Sequence, residues 1–154
     1  MRRWSYTVVA CAIRKDHHAR KYGTSTIDPY MLSLEVVVER FCYELRQRDA
    51  VGAGIIAEAR GQPLDRILER SWQDVLLNGT RYIGRHELSD RVRRLELRTK
   101  TAGEAGLELA DLVVLPIGRH AIGKPPREDW AIVSEKLRRR EGSWRGAGLV
   151  VLPR

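Results

Sequence analysis

The stretch "EAGLELADLVVLPIG", Glu104 to Gly118, decides the fold. Leu107, Leu109, Ala110, Leu112, Val113, Val114, Leu115 and Ile117 put apolar groups on nearly every side of a helix axis, a pattern that asks for burial all round. Only Glu104, Glu108 and Asp111 interrupt them, at spacings of four and three, so the three carboxylates share one edge. Ionised carboxylates held close together in apolar surroundings repel and are poorly solvated. One takes a proton, or a cation settles between them. The plain alternative is that Glu104 and Glu108 lie near the helix start, complement its dipole and face water, an account strongest for Glu104. Asp111 is two turns in, with Leu109, Ala110, Leu112 and Val113 around it, and that account fits it less well.

Working outward, "WSYTVVACAI" mixes β-branched and aromatic residues and predicts a buried strand from Trp4 to Ile13. The polar "RKDHHARKYGTST" that follows reads as a loop. Asp28 and Pro29 open a helix whose apolar positions Tyr30, Leu34, Val37, Val38, Phe41 and Leu45 step by threes and fours to about Gln47. "AVGAGIIAEARG" predicts a strand from Ala53 to Glu58, and "PLDRILERSWQDVLLNG" a helix from Pro63 that Asn78-Gly79 ends. "TRYIG" and "RLELRTK" are expected as short strands. The opening helix comes next, then a helix from Trp130 to about Arg140, and then an extended "GLVVLPR". This alternation predicts an α/β fold with part of its sheet parallel. The length of 154 residues fits one domain.

Composition excludes some classes. With 43% hydrophobic and 31% charged residues, neither a disordered chain nor a membrane protein is expected. No run approaches the roughly 18 apolar residues that span a bilayer. "MRRWSYTVVAC" is too short and too polar for a signal core, and Cys11 and Cys42 sit in apolar runs as free thiols, so a cytoplasmic protein is expected. The net charge of +8 favours an anionic partner, with nucleic acid first.

Glu58 ends an apolar strand, and sites in open α/β sheets form at the carboxyl ends of strands. If Glu58 met Asp111, their hard oxygen ligands would suit Mg²⁺ or Mn²⁺; an ion pair between Glu58 and Arg60 is the plain alternative. Basic residues cluster at Arg91, Arg93 and Arg94, at Arg98 with Lys100, and at Lys136 to Arg140. The four tryptophans are dispersed and show no stacking pattern, and the histidines offer no catalytic arrangement.

"AEARG…LD", "GTRYIG", "K…AGLELADLVVLPIGRH" and the closing "GAGLVVLP" together resemble the bacterial domain-of-unknown-function family thirty-eight hundred. The resemblance covers most of the chain from Trp4 onward. It implies a ribonuclease H-like mixed sheet flanked by helices, here lacking the family's first strand with its Asp-Glu pair. It also implies a divalent-metal-dependent nuclease, with Asp111 and Glu58 as catalytic metal ligands. Glu108, standing where the family has glutamine, would be an auxiliary ligand, and Mg²⁺ or Mn²⁺ the cofactor. Lys100, Arg60 and Arg98 are the basic residues expected to contact nucleic acid. Without the first acidic strand, the alternative is a catalytically inactive remnant that binds nucleic acid or a protein partner through its basic surface. An open sheet edge would further invite self-association or a strand-donating partner.

Overall fold

The structure, a computed structural model, describes residues 1, 3–23 and 28–153. Its elements run β1 (Ala10–Ile13), α1 (Lys15–Tyr22), α2 (Pro29–Gln47), β2 (Ala53–Glu58), α3 (Gln62–Asn78), α4 (Arg85–Arg91), β3 (Val92–Arg98), α5 (Ala105–Ala121), α6 (Glu128–Lys136) and β4 (Leu149–Leu152). This is a mixed α/β protein. The described strands pair in parallel as two two-stranded sheets, β1 with β4 and β2 with β3. The chain divides into two compact units, one comprising Met1–Arg40 with Leu109–Arg154 and the other Phe41–Glu108. Both divisions fall inside helices, α2 and α5.

In the first unit, β1 and β4 register Ala10 against Leu149 through Ile13 against Leu152. Val8, Val113, Ile117, Val133, Leu137 and Leu149 form the core beside them. The strand expected from Trp4 is shorter than its pattern suggests. Val8 instead donates its N–H to the Lys136 carbonyl (2.7 Å) and accepts from the Arg138 N–H (2.9 Å). That pairing draws the chain out of helical form after Lys136, so α6 stops short of the expected Arg140. Gly148 makes the close approach possible: a Cβ there would lie 2.5 Å from the Arg138 carbonyl oxygen. Arg14 closes the end of α5, donating from Nε (3.0 Å) and Nη2 (2.5 Å) to the carbonyl of Ala121.

The expected loop after β1 is instead helical over its first part, α1, and residues 24–26 of it lie outside the described residues. Only His18 of α1 is buried, so the segment carries no apolar periodicity to announce a helix. In the closing "GLVVLPR", β4 fits the extended expectation, and residue 154 lies outside the described residues.

In the second unit, α3 buries Leu68, Ser71, Trp72 and Val75, one stripe at spacings of three, one and three. It packs on α4 and on β3. Cys42, Leu45, Ile83, Leu88 and Val92 are also buried. "TRYIG" is a turn rather than the expected strand. The Thr80 N–H donates to the Ile83 carbonyl (2.8 Å), and the Thr80 hydroxyl oxygen accepts from the N–H groups of Tyr82 (3.3 Å) and Ile83 (3.1 Å). These bonds satisfy the backbone locally and tuck Ile83 inward. Gly79, at φ 75°, permits the turn, since a Cβ would meet the Ile83 carbonyl oxygen at 2.5 Å.

Candidate nucleic-acid interface

The carboxylates singled out in the sequence do not share one environment. On α5, Val113, Pro116, Ile117 and Ala121 face inward. Glu108 and Asp111 lie on the opposite, exposed side, together with Leu112, Val114 and Leu115. The helix therefore buries one face rather than nearly all, and its acidic edge looks into solvent. Glu58 closes β2 in the second unit and is half-buried. It forms no ion pair with Arg60 or with any other described residue; the Arg60 N–H donates to Asp65 Oδ1 (2.8 Å). Asp111 belongs to the first unit and Glu108 to the second.

Among the described residues, no three His, Cys, Asp or Glu side chains gather as a metal site needs. The donors present therefore do not fit a resident Mg²⁺ or Mn²⁺ ion, and no chemical step is assigned to one.

The expected nucleic-acid contacts are unequal. Arg98 is the register partner of Glu58 along β3, but its guanidinium is engaged by Glu96 (2.6 Å) and lies 4.0 Å from Glu104. Lys100 sits exposed in a short 3-10 turn after β3, and Arg60 is exposed where the chain leaves β2.

A stronger cationic feature lies elsewhere in the second unit. An open cleft of about 640 Å³ is lined by Arg66 and Arg70 of α3, by Arg93 and Arg94 of β3, and by Trp72 and Gln73. Arg66 and Arg70 are one helical turn apart and both exposed, and Arg93 and Arg94 project from the strand alongside. Arg94 is tied to Glu96 at 2.6 Å. Arg66, Arg70 and Arg93 have no carboxylate partner among the described residues. Gly52 makes room for one of them: a Cβ there would stand 3.0 Å from Arg93 Nε. Glu69 and Asp74 also line the cleft, so four guanidiniums face two carboxylates.

The sequence names Arg93 and Arg94 within a basic run, but Arg66 and Arg70 are separate residues on a helix with acidic neighbours. The available signal was their spacing of four along α3; their meeting with β3 depends on the parallel pairing of β2 and β3.

Fold and cleft together define a small basic α/β protein with an arginine-lined surface. Comparison with protein-family models, curated proteins and solved structures finds no match to this chain, so the family resemblance rests on the quoted motifs alone.

Proposed function

We propose that this protein binds nucleic acid through the phosphate backbone, with the α3–β3 cleft as the contact surface. The observation that carries this function is the convergence of Arg66, Arg70 and Arg93 on one open cleft without carboxylate partners among the described residues. Unpaired guanidiniums are weakly hydrated forks whose geometry matches phosphate oxygens, and releasing counterions from a polyanion rewards their grouping. The net charge of +8 draws such a partner from a distance.

Fluorescence anisotropy with labelled single-stranded RNA, single-stranded DNA and duplexes tests this function across a salt series. Replacing Arg66, Arg70 and Arg93 together by Gln is expected to weaken binding and to flatten the slope of log K against log salt by about 2–3. An unchanged slope removes the cleft from the interface.

The second reading, supported by the resemblance, is metal-dependent phosphodiester cleavage; the carboxylates among the described residues do not gather into a metal site, so no ligand set is assigned to it. A half-buried Glu58 without a cationic partner among the described residues of so basic a chain favours it. The same nucleic acids incubated with Mg²⁺ or Mn²⁺ provide its test. Cleavage by the wild type but not by Glu58→Gln or Asp111→Asn supports it, and equal products from all three remove it.

A further inference from the structure

Three aromatic rings that are far apart in the chain meet in the first unit. His120, near the end of α5, stacks on Trp130 of α6, with ring centroids 3.9 Å apart and planes inclined by 6°. Trp144, in the turn before β4, meets both edge-on, at 5.3 Å from His120 and 5.7 Å from Trp130. Trp130 and Trp144 also pack against the unit's core, which fixes their orientation.

Beside this cluster opens a cavity of about 410 Å³ with an aromatic lining, His120 and Trp144, and an apolar one, Leu149, Val150 and Val151 of β4. Arg145 also lines it, with its guanidinium carbon 5.5 Å from the centre of the Trp144 ring. It has no carboxylate partner among the described residues.

We propose that this cavity binds a nucleobase together with its phosphate. The base would lie against the aromatic and apolar linings, with the phosphate on Arg145. The size falls within the range of small-molecule sites, and an apolar slot with few polar groups is their usual make-up. A planar heteroaromatic ring gains from both surfaces, as stacked bases do on aromatic side chains. Burial, with Arg145 adding repulsion, holds the His120 imidazole below its ordinary pKa. Neutral His120 presents one donor and one acceptor nitrogen, and neither has a hydrogen-bond partner among the described residues. Either nitrogen can meet a polar atom on the edge of a base. The neutral ring leaves Arg145 as the cation for phosphate. This site is separate from the α3–β3 cleft and stands without it.

Tryptophan emission reports the test directly, using adenosine 5′-monophosphate, adenosine and a single-stranded oligoadenylate as probes. Saturable quenching is expected with each. Arg145→Gln should weaken the monophosphate about tenfold while leaving adenosine unchanged, as loss of a charge-assisted hydrogen bond would. His120→Phe keeps a ring in the stack and removes its nitrogens, and it should weaken all three probes. In an Arg66→Gln, Arg93→Gln background, which weakens the arginine cleft, oligoadenylate binding tenfold tighter than the monophosphate would identify a nucleic-acid strand as the source of the base, and equal affinity a free nucleotide. Trp72 lines the arginine cleft, so an Arg66→Gln, Arg93→Gln double variant separates the sites: saturable quenching by the monophosphate should persist in it. No saturable quenching by any probe overturns the proposal. So does a monophosphate response that survives both Arg145→Gln and His120→Phe, or one lost only in the double variant.

Discussion

Glu87 on α4 receives hydrogen bonds on one oxygen from Arg46 and from Arg91 (3.3 Å), and it keeps 29% of its side-chain exposure. The bond from Arg46 is the main reason its carboxyl lies below the usual glutamate range; burial opposes this and Arg91 reinforces it. A carboxylate whose pKa is lower folded than unfolded adds stability above its unfolded pKa of about 4.3, and that stability is lost as pH falls through the folded value. Glu87→Gln is therefore expected to cost about 1 kcal/mol at pH 7, the upper end for a partly exposed pair. The difference from wild type should narrow progressively as urea titrations move below about pH 4; a constant difference would contradict the assignment. Glu35 on α2 behaves oppositely. Burial, then the neighbouring Glu39 one turn on, raises its pKa. Its folded form is thus favoured at low pH, and that advantage is lost as pH rises through the folded value. Glu35→Gln should stabilise the protein at pH 7 by about 0.3 kcal/mol, the size of a like-charge pair four apart, and should have no effect below pH 4. The largest cause of each shift, the Arg46 bond to Glu87 and the burial of Glu35, depends on packing that the sequence does not display.

At the scale of elements, legibility followed periodicity. The predicted span of β2 matches the observed strand, and α2 and α3 occupy their expected spans; α3 buries a single stripe, whereas α2 buries Val38, Glu39, Cys42 and Leu45 and leaves Tyr30 exposed. The short α4, seven residues with one buried side chain, has too little apolar pattern to be seen. For α5 the helix was legible but its orientation was not, since apolar residues on every side give no hint of which face is buried. The structure selects Val113, Pro116, Ile117 and Ala121, leaving Leu115 65% exposed and Ile117 only 6%. Leu115→Gln should change stability by less than about 0.5 kcal/mol, whereas Ile117→Ala should cost about 2–5 kcal/mol. Chemical denaturation of the two variants checks the assignment, and a comparable loss in both would mean that the exposed face is covered in solution. The carboxylate edge of the same helix was legible as a pattern. Its solvent-facing side was not, and so the metal site expected from it has no donor set among the described residues. The aromatic cluster at His120, Trp130 and Trp144 lay beyond sequence reasoning altogether, because spacings of ten and fourteen residues carry no helical or strand phase.

For the whole molecule the governing quantity is charge. Twenty-eight lysines and arginines stand against twenty acidic residues, and the arginine cleft gathers part of the surplus, with four guanidiniums and two carboxylates in its lining. Two effects of salt compete. Screening weakens exposed ion pairs such as Arg48–Glu44, each of which contributes at most about 1 kcal/mol, and it also relieves the repulsion among unpaired cations. With cations in excess, relief wins, and the thermal midpoint is expected to rise with added sodium chloride. Anions that bind the folded state add a further, saturable rise by mass action. Phosphate at the same ionic strength as chloride should therefore stabilise the wild type more than it stabilises the Arg66, Arg70 and Arg93 triple glutamine variant. Any general effect of phosphate on apolar hydration acts on both proteins and cancels in that comparison. Circular dichroism melts in matched buffers give the answer: an equal phosphate increment in the two proteins would mean that the cleft holds no phosphate, and a midpoint falling with chloride would mean that its ion pairs outweigh its surplus charge.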